Sequence, residues 1–125
     1  MKIFNRKITH LGSRVLNSKG QNCAMHCIVV ETSGTTAVDV FGTGGSPSKL
    51  TIVAVESVAL DTTAGNITPK VDGSTVCTIA KGTTTGLTIR GTSLANTSVK
   101  AGSAVTAVSS SAGNSLLKIW YTIDA

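Results

Sequence analysis

The apolar residues of this chain come in short β-branched runs, and each run is closed by Gly, Ser, Thr, Asn or Pro. Such punctuation bars long helices and favours strands joined by turns. No stretch carries the i, i+3, i+4, i+7 repeat of an amphipathic helix. The runs predict eight strands: Ala24–Glu31, Thr36–Phe41, Leu50–Leu60, Gly65–Asp72, Ser74–Ala80, Gly86–Arg90, Ala104–Ser109 and Leu116–Ile123. Eight short strands at this spacing give an all-β chain, an antiparallel β-sandwich or jelly roll.

Local signals refine the pattern. Val71-Asp72-Gly73-Ser74 reads as a tight hairpin, because Asp-Gly accepts the positive backbone dihedrals of a primed turn. Pro69 has no amide donor, so Gly65–Asp72 is expected to be an edge strand or to carry a bulge. Gly42–Ser48 reads as a loop and Ser109–Ser115 as a hairpin connection. On Leu116–Ile123 one face carries Leu117, Ile119, Tyr121 and Ile123, a core stripe. The other carries Leu116, Lys118, Trp120 and Thr122, which turns the single tryptophan toward solvent or a partner.

Leu50–Leu60 does not alternate. Leu50, Ile52, Ala54, Val58 and Leu60 lie on one face; Val53, Val55 and Ala59 lie on the other. A half-exposed antiparallel strand should show one polar face, so this one reads as covered on both sides. Val53, Val55 and Trp120 are thereby predicted to form an oligomer or partner interface. A central strand with small exposed apolar residues gives the same pattern and stays open.

Charge divides the chain in two. The formal net charge is +5, and all of it sits on Lys2, Arg6, Lys7, Arg14 and Lys19, with no acid before Glu31. The remainder is neutral, six basic residues against six acidic ones. We therefore expect an extended basic arm over residues 1–22, whose cations bind a partner, and a β-sandwich domain over residues 23–125. Leu, Ile, Val and Phe make up about a quarter of the chain, enough for one modest core. The sequence has no apolar run long enough to span a bilayer and no signal-peptide pattern, so no membrane partner is expected and synthesis is placed in a cytoplasm.

Candidate chemistry is sparse. His10 lies in the arm and His26 in an apolar strand, and the six carboxylates are dispersed. No Gly-x-Ser-x-Gly elbow appears, and Gly42-Thr43-Gly44-Gly45 is not followed by the Lys-Ser/Thr of a phosphate cradle. Cys23, His26, Cys27 and Cys77 fit no common zinc spacing, and in a strand Cys23 and Cys27 would lie about 13 Å apart at roughly 3.3 Å per residue. No enzyme, cofactor or metal is expected. A glycan-binding module stays open on Trp120 alone, since sugar platforms stack on exposed rings. The arm's charge density is modest and its aromatics few, which argues against nucleic acid as the partner.

From Leu50 onward the chain resembles the small β-sandwich structural proteins of tailed-bacteriophage virions, the head decoration or cement proteins above all. The stretches that carry the likeness are LTIVAVESVALDTTAGNITPKVDGSTVCTIAKGT and VKAGSAVTAVSSSAGNSLLKIWYTIDA. The second runs from a polar Gly turn through a short apolar strand and a Ser/Ala/Gly loop to a final apolar-aromatic strand. The resemblance implies a non-enzymatic virion protein made in the host cytoplasm. It implies a homo-oligomer, with a trimer favoured, docked on the major capsid protein or another virion protein. A tail, collar or head-fibre component is the alternative within the particle. The basic, Cys-containing N-terminus has no counterpart in the resemblance.

Overall fold

The computed structural model describes residues 24–124. Among them there is no helix. Ten strands follow in order: β1 (Met25–Ser33), β2 (Val38–Asp39), β3 (Leu50–Ala59), β4 (Gly65–Val71), β5 (Ser74–Thr75), β6 (Ile79–Lys81), β7 (Thr88–Arg90), β8 (Ser98–Val99), β9 (Val105–Ser109) and β10 (Asn114–Ile123). All pairings are antiparallel. In the first sheet the order is β1-β10-β3, and β7 and β8 share the far side of β3. In the second it is β2-β9-β4, and β5 and β6 share the far side of β4. The sheets meet in one core, with Leu50, Ile52, Val55, Leu117 and Ile119 facing Ile67, Val71, Ile79, Val105 and Ala107. This is an antiparallel β-sandwich.

The eight predicted strands are all present, with three differences in detail. Ser74–Ala80 is split into β5 and β6, and β8 is a short strand that the Thr/Ser/Asn-rich sequence around it conceals. Ser109–Ser115 is not a hairpin, because it carries the chain from β9 in the second sheet to β10 in the first. The Asp72-Gly73 turn is formed as expected: φ is 48° at Asp72 and 83° at Gly73, and Val71 pairs with Ser74.

The split of Ser74–Ala80 follows from Pro69. β4 lies inside its sheet and not at an edge, contrary to expectation. In an antiparallel strand a residue's N–H and C=O point to the same neighbour. The Pro69 carbonyl accepts from the Val76 amide at 2.9 Å, so its missing donor also faces the β5–β6 side. The neighbouring strand breaks at that point. β5 covers Lys70 and Val71, β6 covers Gly65–Ile67, and Val76 and Cys77 turn into the core between them.

A β-bulge in β3 governs everything else. Trp120 pairs with Ala54 and the next residue, Tyr121, with Ile52, so Val53 is the extra residue. An inserted residue reverses which side chains face inward. Leu50 and Ile52 face the core before the bulge; Val55, Ser57 and Ala59 face it afterwards. The two apolar faces read from the sequence are one core stripe with a step in it. Val55 is 0% exposed in the protein's own core, so it is unavailable as an interface residue, and the prediction for it is corrected.

Candidate functional site

The outer face of the first sheet is built from the three long strands β1, β10 and β3. On β1 the alternation is simple. Ile28 and Val30 pack on the core, whereas Met25, Cys27 and Val29 point away from it. β10 presents Leu116, Lys118 and Trp120 to the same outer side, in register with Glu31, Val29 and Cys27 of β1. Trp120 is partly buried and is not among the residues packed on the core. Its cross-strand neighbours are Cys27 and Ala54, both small, so the ring lies between low walls.

Around it the face is unusually apolar for one that meets solvent. Met25 is 47% exposed, Val29 48% and Val53 38%. Single exposed apolar residues are ordinary, whereas a cluster around a tryptophan is the kind of surface that interactions use. Val53 belongs to this cluster because the bulge pushes it out of the ladder. A charged strip crosses the face: Lys118 stands opposite Glu56, and Glu56 accepts two hydrogen bonds from Arg90, at 2.7 Å from Nη2 and 3.1 Å from Nε. The site thus offers an aromatic anchor, apolar flanks and a polar strip, the composition of a protein-binding patch.

Of the residues predicted for this face, only their placement is seen. Trp120 and Val53 lie on one exposed side, and Val55 does not. Met25 and Val29 were not singled out, although the alternation of the run Met25–Ser33 placed them on one face. Lys2, Arg6, Lys7, Arg14 and Lys19 lie outside the described residues, as does Cys23. His26 is stacked on Tyr121 with ring centroids 5.5 Å apart, and Phe41 meets the same Tyr121 edge-on at 5.6 Å. These rings lie at the flank of the core near β1, where Phe41 and Tyr121 are only partly buried. Among the described residues no group of three or more His, Cys, Asp or Glu side chains is placed to hold a metal ion. No helix there is long and apolar enough to cross a membrane. Burial pushes the Cys77 thiol above its ordinary pKa, which disfavours the reactive thiolate.

The strongest electrostatic feature lies elsewhere. Lys81 on β6 is buried, and its Nζ donates to Asp61 Oδ1 at 2.6 Å, to the Thr63 carbonyl at 2.6 Å and to the Asp61 carbonyl at 3.2 Å. Asp61 also accepts from the Thr63 amide at 3.0 Å and the Asn114 amide at 2.8 Å. The Lys81 ammonium and these two amides hold the Asp61 carboxyl at about 2, below its ordinary 3.8. The three ammonium protons each have an oxygen acceptor in the fold. Gly113 packs against this cluster: a Cβ there would lie 2.8 Å from Thr63 Cβ and 3.0 Å from Lys81 Cε. The cluster fastens the 61–63 turn and the β9–β10 crossover to β6. Spacing in the sequence gave no sign of it, because the partners are brought together only by the β4–β6 register.

No family model, curated protein or solved structure matches this chain.

Proposed function

We propose that this protein is a non-enzymatic assembly component, a decoration protein that stabilises the head lattice of a tailed-phage virion as a small homo-oligomer. The observation that carries the reading is the outer face of the first sheet. Trp120, Met25, Val29 and Val53 are presented together on a rigid, three-stranded platform. A platform of this kind contributes affinity by burying apolar area against a second surface, at about 25 cal/mol per Å² before association costs. The neutral body does not repel a dense lattice, and the cations of the arm suit an acidic capsid exterior. The sequence resemblance to decoration proteins supports the same assignment.

The surroundings of Trp120 favour protein over sugar. A carbohydrate platform needs hydrogen-bonding groups around the ring to meet hydroxyls, and here they lie on one side only, at Lys118 and Glu56, while the cross-strand neighbours are Cys27 and Ala54 and the exposed flank is Met25, Val29 and Val53. The test is co-sedimentation of the full chain with expanded phage heads that lack decoration, compared with isolated tails. Saturable binding to heads is expected, and Val29→Lys should weaken it at least about tenfold, because a desolvated lysine in an apolar contact costs more than 1.4 kcal/mol. Binding to tails alone would move the protein to a tail or collar position. Binding to neither, or an undiminished affinity in Val29→Lys, would overturn the reading.

A further inference from the structure

We propose that the unpaired edge of β1 receives, as an added strand, part of the basic arm (residues 1–22) of a neighbouring copy of this protein. The proposal rests on the oligomeric reading above and names the contact that builds the oligomer. All nine residues of β1 pair with β10 on one side, and no strand among the described residues lies on the other. Proteins ordinarily blunt such edges with Pro, Lys, a bulge or a very short strand. β1 has none of these. Its sequence is Met-His-Cys-Ile-Val-Val-Glu-Thr-Ser, with one charge, and its register with β10 is unbroken.

The core is also open on this side. Phe41, just beyond β2, touches Tyr121, and Tyr121 stacks on His26 of β1, so β1 and β2 bound the same flank of the sandwich. Ile28, Val30, Val38, Phe41 and Tyr121 are only partly buried there. One more strand beside β1 would cover them.

Charge identifies the occupant. From Ala24 to Ser48 the chain carries Glu31 and Asp39 and no Lys or Arg. Both acids are exposed, one on each strand bounding the open flank. The arm carries five cations and no acid. A segment rich in Lys and Arg is thus matched to two strands, β1 and β2, whose only charged residues are Glu31 and Asp39. Residues 3–16 also supply Ile3, Phe4, Ile8, Leu11, Val15 and Leu16 for the apolar side of an added strand.

The connection favours a neighbour over the chain's own edge. The arm joins at Ala24, where β1 begins, so covering its own edge demands a reversal within Asn17–Ala24. That stretch holds no Asn-Gly or Asp-Gly pair of the kind that closes the hairpin at Asp72-Gly73. An arm that runs on needs no turn. Twenty-two extended residues reach about 70 Å, against about 30 Å for the β1 edge. If each copy gives one arm and takes one, a ring closes with every edge filled.

The test uses the full chain. Isotopically heavy and normal protein are mixed one to one, unfolded, refolded together and treated with a carbodiimide, which joins lysine amines to carboxylates. Light scattering should give an oligomer mass. Cross-links from Lys2, Lys7 or Lys19 to Glu31 or Asp39 should be found, about half of them joining heavy to normal chains, as random exchange between copies requires. In hydrogen exchange, the β1 amides pointing away from β10 should be slowed at least about tenfold, as for a paired strand. Cross-links only within chains of one label would place the arm on its own edge and overturn the proposal. An oligomer with no arm-to-edge cross-links, or with unprotected outward amides, would overturn it while leaving the docking face intact. A monomer mass would overturn both.

Discussion

Replacing Val55 and Val53 separately by alanine tests the step that organises the first sheet. Val55 follows the bulge, is 0% exposed, and sits beside Ile119 and Ile52 in the core. Val→Ala removes two methyl groups, about 1.6 kcal/mol at about 0.8 per group. The void left, roughly 40 Å³ if nothing relaxes, adds about 1 kcal/mol at about 24 cal/mol per Å³. Val55→Ala should therefore cost about 2.5 kcal/mol, and lower Tm by roughly 10–20 °C in a domain of this size. Val53 is the bulged residue and 38% exposed, so Val53→Ala should cost less than about 1 kcal/mol. Urea titrations followed by far-ultraviolet circular dichroism give both values, with unchanged m-values confirming a common unfolding reaction. If Val53→Ala cost as much as Val55→Ala, the insertion would lie elsewhere, and the inward and outward assignment of half of β3 would be wrong. A lysine sharpens the contrast. Val55→Lys should unfold the domain, whereas Val53→Lys should leave it folded.

Two further outcomes follow from polar groups, the partly exposed Asp61 and the buried Ser57. The Asp61 carboxyl is held at about 2 in the folded protein against an ordinary 3.8, so the folded state binds this proton less readily than the unfolded chain. Its contribution is complete above about pH 4 and is lost as pH falls through about 2; Asp61→Asn should lower stability at pH 7 and flatten the fall between pH 4 and 2 in acid titrations of Tm. Ser57 is fully buried with a hydroxyl that has no hydrogen-bond partner. Ser57→Ala should stabilise the domain by about 1 kcal/mol in the same urea titrations, since an unpaired buried polar group costs about 1–3 kcal/mol, and a loss of stability would show that the hydroxyl is satisfied in solution.

How much of this was legible in the sequence depends on whether a signal was local. Turn chemistry was. Asp72-Gly73 needs two positive φ angles, and the residues that accept them announce the hairpin. Gly45 belongs with it: φ is 77°, and a Cβ would run into the Gly102 carbonyl, so the 42–48 loop can pack on the 100–103 turn only with glycine there. Pro69 was legible as a constraint and misread as to its remedy. The missing donor does break a ladder, but the break falls in the neighbouring strand, which no local rule could locate. The Ser109–Ser115 crossover failed for the same reason. A Ser/Ala/Gly linker fits a hairpin and an inter-sheet passage equally, and only the packing of two sheets chooses.

The outer face of the first sheet shows where strand periodicity carries an argument and where it stops. Trp120 was placed on the outer side by alternation from Leu117 and Ile119, and β10 has no inserted residue before it, so the parity held that far; beyond it Ile123, read as part of the core stripe, is 43% exposed and Thr122 is 0% exposed. The same rule misplaced Val55, because β3 gains a residue at Val53 and alternation cannot see an insertion. Yet the anomaly was visible as an anomaly. A strand that spends apolar residues on both faces either is covered twice or changes phase. The observed inward set, Leu50, Ile52, Val55, Ser57 and Ala59, is the pattern of a phase change, two residues on one parity and three on the other. What is left outside after the correction is smaller and more specific than a doubly covered strand. Val53 is now an exposed corner beside Trp120 and not part of a stripe. An interface anchored there must approach from the β1–β10–β3 face, on which β1 is the outermost strand among the described residues.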